Sequence, residues 1–297
     1  MFSLLTVKSE LSLCCQQTIA DTHDVSYNYR QRNSLCFSMK IFLIKLLAQN
    51  CPSTRYRSYL MKYILRRIIA NMPAALYQYA LALVSTGQCA VAMKHLNRSI
   101  IRGHLPSRAL MAHLLLGESE GVVMNNKKVF QLAEEGTRLG CHHCQGVLAY
   151  CYLGHGIKID TALSLELARK SSGKGSKYGQ FVLGMLYHYG LGGVARDCVQ
   201  AVAFYRLAAV QNFDMAQLSL GSMYSYASGV AQDYAEALRL FYLAAAQGHT
   251  VALCQIAIFH EHGYGICKNK AEAIRWYRRA QAAGNHSVAI RLQELSA

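Results

Sequence analysis

The sequence predicts an all-α fold, a right-handed α-solenoid of antiparallel helical hairpins, on three observations. First, Gly103, Gly140, Gly175, Asn212, Gly248 and Gly284 recur at intervals of 37, 35, 37, 36 and 36 residues. Glycine, and less easily asparagine, tolerates the left-handed backbone that ends a helix before the chain reverses. Second, Asp197, Asp233 and Asn269 stand at matching places in successive units, where an Asx side chain starts a helix. Third, apolar residues within each unit fall at three- and four-residue spacing, which gathers them on one helix face. A repeat of this length describes supersecondary units that bury their faces by stacking, so the 297 residues form one array rather than two separate domains.

Residues 1–70 read as a basic leader, partly helical or disordered. They hold 10 Lys/Arg against 3 Asp/Glu, whereas residues 71–297 hold 21 against 13. The segment Ile41 to Ala48 is short and contains Lys45, so it does not read as a membrane span. Residues 1–38 do not resemble a secretory signal, although a chain starting at Met39 or Met61 would open on a basic, apolar targeting-type segment.

Residues 71–146 read as degenerate helical repeats. Leu76–Gly103 is a shortened hairpin, and Ala112–Gln145 keeps only Gly121, Val122, Asn125 and Gly140 of the later pattern. Four fuller units follow at 147–182, 183–219, 220–255 and 256–287. The first keeps Gly154, Gly156, Ile157, Asp160 and Gly175, with Cys151 at its tyrosine position.

The last three open on an apolar residue and a very small one: Leu183-Gly184, Leu220-Gly221 and Ile256-Ala257. The small residue lets two helices approach, which outweighs a helix cost of roughly 1 kcal/mol for glycine. An aromatic and a turn then end the first helix, at Tyr187–Gly190, Tyr224–Ala227 and His260–Gly263. Asp197, Asp233 or Asn269 follows, with Gln200, Glu236 or Glu272 three residues on, the signature of a reciprocal capping box. The second helix carries Ala201, Ala237 or Ala273, then Phe204-Tyr205, Leu240-Phe241 or Trp276-Tyr277, then Ala208, Ala244 or Ala280. Residues 288–297 look like the first helix of one more unit, with Leu292 in register and Gln293 at the small position. A bulky polar residue there suits a C-terminal capping helix.

These residues resemble the Sel1-like repeat family, relatives of the tetratricopeptide repeats, whose pattern is Leu-Gly, Tyr, Gly-x-Gly-Val, Asp, Ala, Trp-Tyr, Ala-Ala, Gly. The match is strong across 183–288 and thins upstream. The resemblance implies a tetratricopeptide-like superhelix acting as a non-enzymatic adaptor or scaffold.

No constellation argues for catalysis. Cys141-His142-His143-Cys144, with Cys151, offers soft donors, but the two-plus-two ligand spacing of structural zinc has no second half. Cys144 also stands where Gly179, Ala216 and Ala252 stand in later units, a place for a small buried side chain. His260-Glu261-His262 lacks the four-residue histidine separation of a metalloprotease helix. No metal, cofactor or small-molecule substrate is expected. The eleven cysteines show no recurring spacing, which suits free thiols in a reducing, cytoplasmic setting.

Function is therefore expected on a surface. First-helix positions not claimed by packing are Tyr152 and Leu153, His188 and Tyr189, Ser225 and Tyr226, and Glu261 and His262. They line an expected concave groove for a partner peptide or helix; the same tyrosines also fit a reading in which they pack between hairpins. A second expectation places binding in the leader. Arg55, Arg57, Lys62, Arg66 and Arg67 share thirteen residues with three tyrosines and no acid, a face that suits nucleic acid or an anionic membrane, or simply water.

Overall fold

The computed structural model describes residues 72–116, 123–155 and 159–296. Among the described residues there are thirteen α-helices and no strand. In chain order they are α1 (Pro73–Ser85), α2 (Cys89–Ile101), α3 (Leu105–Leu114), α4 (Asn126–Arg138), α5 (His142–Tyr150), α6 (Thr161–Gly173) and α7 (Lys177–Tyr189). Then come α8 (Cys198–Val210), α9 (Asp214–Ser225), α10 (Tyr234–Ala246), α11 (Thr250–His262), α12 (Lys270–Ala282) and α13 (Ala289–Ser296). They pack as sequential hairpins, α1 on α2, α3 on α4, and so on to α11 on α12, with α13 against α12. Odd-numbered helices form one layer and even-numbered helices the other.

Side-chain caps start the second helix of five hairpins. Asn125, Asp160, Asp197, Asp233 and Asn269 each accept from a backbone N–H two or three residues on. The expected reciprocal bond from Glu or Gln to the cap N–H is replaced. That N–H instead donates to a carbonyl near the end of the preceding helix, of Leu115, Tyr152, Tyr187, Tyr224 or His260, at 2.8–3.2 Å. Glu236 and Glu272 turn outward to Arg239 and Arg275 one turn along. The hairpin is thus latched backbone to backbone, which satisfies a donor that an isolated helix leaves free.

The small residues do what their size suggests. A Cβ on Gly184 would meet the Tyr205 ring at 2.5 Å, and one on Gly221 would meet the Phe241 ring at 2.6 Å. Both glycines let an aromatic of the second helix approach the first closely. Asn212, at φ 54°, is the one cap that is not glycine among the six. Its Oδ1 accepts from Gln217 Nε2 (3.0 Å) and Gln247 Nε2 (3.2 Å), and Gln247 also donates to Gln217 Oε1 (2.8 Å). A polar knot across the α9–α10 mouth therefore offsets the strain of a non-glycine left-handed residue.

Buried apolar residues form two clusters, one running from Ala80 to Leu240 and the other from Ala237 to Val288. The first is closed by a contact between distant hairpins. His113 Nε2 near the end of α3 lies 3.0 Å from Asp214 Oδ1 at the start of α9, with both side chains buried. The His113 ring also packs on Tyr178 and Phe213, at 5.9 and 5.0 Å between centroids. Burial alone would raise the Asp214 carboxyl, but the His113 ring and its hydrogen bond, with His249 and Lys177 nearby, hold it well below the usual carboxylate range. The starts of α7 and α9 therefore pack against the chain's own α3, so an open groove along the first helices is interrupted at those ends.

Candidate functional site

The eight first-helix positions fall at three depths, exposed, half-buried and buried. Tyr189, the last residue of α7, is 61% exposed, and Tyr226, which caps α9, is 77% exposed. The His262 side chain at the end of α11 is 45% exposed, and its ring stacks on Tyr264 at 5.3 Å. His188 is half-buried beside Tyr189, with ring centroids 4.5 Å apart. Burial, helped by Arg196, lowers its pKa.

Of the other four positions, Ser225 and Glu261 are buried, and Tyr152 and Leu153 are half-buried. Ser225 is buried and donates to the Gly221 carbonyl one turn back (3.0 Å). Glu261 is 5% exposed and accepts from the Tyr277 hydroxyl (2.9 Å) and from Arg291. The Arg291 hydrogen bond holds its carboxyl low against the opposing effect of burial, and Tyr277 adds to it. Leu153 packs against the larger core, and Tyr152 meets Phe130 edge-on at 5.9 Å.

Tyr152 sits one step out of the register expected for it. The Tyr152 carbonyl receives the Asp160 N–H, as Tyr187, Tyr224 and His260 receive theirs. It is therefore Tyr152, not Cys151, that holds the tyrosine position, and Leu148-Ala149 that correspond to Leu183-Gly184. Counting twelve residues on from Gly140, Gly175, Asn212 and Gly248 finds all four members of this row. It lies at the seams between hairpins: the Tyr224 hydroxyl accepts from Arg206 (2.8 Å), and His260 Nε2 is 3.1 Å from the Tyr242 hydroxyl. Two residues further on stand Gly154, Tyr189, Tyr226 and His262, so the exposed ring row spans three hairpins and Tyr152 lies outside it.

The basic cluster Arg55, Arg57, Lys62, Arg66 and Arg67 lies outside the described residues. Among the described residues no group of three or more His, Cys, Asp or Glu is arranged to hold a metal ion. Cys144 is fully buried and its thiol hydrogen-bonds Cys141, which lowers the Cys141 pKa and raises that of Cys144. His143 turns away from both, with Nδ1 3.0 Å from Ser176 Oγ. Burial, then His142 and Lys177, lowers its pKa to about 4. No described helix is long and apolar enough to cross a membrane.

Residues 138–176, 177–213, 214–249 and 250–285 match the Sel1 repeat. These bounds begin earlier in each unit than those expected from the small-residue pair. Three crystal structures with similar backbones are a protective antigen of uropathogenic Escherichia coli displaying an SLR fold, a Sel1 repeat protein from Oxalobacter formigenes, and the immunity protein Pa5087 from Pseudomonas aeruginosa. Their identities to this chain are 22%, 20% and 18%, with TM-scores of 0.48, 0.48 and 0.46. The alignments cover 90%, 86% and 72% of this chain and 59%, 76% and 83% of theirs, so this chain spans well under two thirds of the E. coli antigen. No curated protein matches the sequence. With four consecutive Sel1 repeats over residues 138–285, this chain is a Sel1-repeat protein.

Proposed function

We propose that this chain is a non-enzymatic scaffold that holds a segment of a partner protein across Tyr189, Tyr226 and His262. The observation that carries the reading is the row itself. Three successive hairpins end their first helix on an exposed ring, and a periodic array of amphipathic rings suits an extended peptide or helix. Aromatic side chains anchor interfaces because they bury large area with few rotamers to freeze. Buried Ser225 and Glu261 hold the helix ends in place and take no part in contact.

The test replaces Tyr189 and Tyr226 together by serine and compares quantitative partner capture with the wild type. Capture falls while the thermal midpoint stays unchanged if the row is the site. Equal capture by both proteins removes the row from the reading. Capture that survives the double substitution yet drops steeply between roughly 50 and 200 mM salt assigns binding to phosphate contacts of residues 55–67 instead.

A further inference from the structure

Successive hairpins repeat the same columns of residues, and one hairpin lacks a ring that its neighbours carry. Eight residues before their caps stand Phe204, Leu240 and Trp276. Phe204 stacks on Tyr187 of its own hairpin, with centroids 5.6 Å apart and planes 7° from parallel. Trp276 meets Tyr242 at 5.5 Å and carries the Arg279 guanidinium 4.2 Å from its ring centroid. Leu240, fully inside, supplies no such ring to Tyr224. Between α8 and α10 lies an open slot of about 470 Å³, lined by Leu220, Leu240 and Leu243 together with Arg206, Tyr224 and Glu236.

We propose that this slot takes an aromatic side chain of a partner peptide with an acidic residue beside it. The hairpins on either side show that an amino-acid ring fits the column, edge-on or stacked, which favours a peptide over a lipid or a nucleotide. The volume lies within the usual range of a small ligand pocket. Charge selects the neighbouring residue. Arg206 is exposed, donates to the Tyr224 hydroxyl and lies 5.7 Å from that ring's centroid. Arg239, also lining the slot, grips Glu236 through two hydrogen bonds of 2.7 Å. Two guanidinium groups thus face one carboxylate, and an incoming acid restores the balance. An entering ring would have Tyr224 to stack on, as Phe204 has Tyr187. This site draws its walls from α8, α9 and α10, and neither Tyr189 nor Tyr226 lines it.

Calorimetric titration of the full chain with three capped pentapeptides tests the proposal: Glu-Glu-Trp-Glu-Glu, the same with leucine in the middle, and Lys-Lys-Trp-Lys-Lys. The acidic tryptophan peptide is expected to bind at least about tenfold more tightly than either of the others. Leu240→Trp, which copies the Trp276 hairpin, is expected to weaken it about tenfold or more in a chain that still unfolds cooperatively. Arg206→Gln keeps the test sharp if Leu240→Trp folds poorly, and should weaken the acidic peptide by about fivefold. The Tyr189→Ser, Tyr226→Ser double variant should bind it as the wild type does. Three peptides that bind alike, or none that binds, overturn the proposal. So does full affinity in a folded Leu240→Trp variant, or loss of affinity in the tyrosine double variant.

Discussion

The early and late parts of this array are built from the same hairpin and closed in different ways. Between α3 and α9 the chain covers its own first-layer surface, with His113 reaching Asp214 across three hairpins. Around α11 the matching surface stays open. Tyr178 and Phe181, which pack with Phe213 and His113 in the early part, correspond to Val251 and Cys254 on α11. The smaller pair borders an open groove of about 560 Å³ that also takes in Ile258, Glu261 and Arg291. The comparison teaches that the repeat pattern makes hairpins, while the residues between hairpins decide whether a surface is core or is left for a partner. The exposed rings at Tyr189, Tyr226 and His262 stand at the far ends of α7, α9 and α11, away from the helix starts that α3 packs against, and recognition is proposed along that row.

The largest expected effect breaks the early closure. Asp214→Ala leaves His113 buried without its carboxylate, and removing one member of a buried pair costs about 3–5 kcal/mol; denaturant unfolding measures it. Leu220→Ala acts on the hairpin itself, in a column shared by both parts. Leu220 is buried, and truncation there should cost about 2–5 kcal/mol by the same measurement, with a loss under roughly half a kilocalorie contradicting the assigned core register.

A pH series sharpens the comparison next. His143 titrates at about 4 in the folded chain against about 6.5 when unfolded. The unfolded chain therefore binds the extra proton between these values, and stability falls as pH drops through that window. The loss from His143 should be on the order of 3 kcal/mol, absent above about pH 6.5 and level below about pH 4, and His143→Gln should make the dependence shallower. The smallest effect lies at a turn. Ala227 holds φ 53° where Gly190 and Gly263 hold 67° and 80°, so Ala227→Gly should stabilise the chain by about 1 kcal/mol, visible as a raised thermal midpoint.

Much of the hairpin was legible in the sequence because its determinants are local. Left-handed caps, Asx starts and the small residues at Gly184 and Gly221 each act within one unit, and periodicity multiplies their signal. The reciprocal capping box does not form because Glu236 and Glu272 have arginines three residues on, while the preceding helix supplies the carbonyl for the cap N–H. Counted from Val147, Tyr152 falls one residue out of register; counted from Gly140, it joins the row. The His113–Asp214 closure left no trace, since a contact joining positions 101 residues apart carries no period. Burial of Ser225 and Glu261 was equally hidden, because their partners Gly221, Tyr277 and Arg291 follow from packing rather than from residue type. The slot above Tyr224 was present in the column Phe204, Leu240, Trp276, as a missing ring rather than as a motif.

Amide hydrogen exchange read by mass spectrometry, on the wild type and on Asp214→Ala, tests the contrast between the two parts most directly. The account expects the substitution to strip protection from α3 and the start of α9 while α11 and α12 keep theirs. Uniform loss along the whole array, or an unchanged α3, would contradict it.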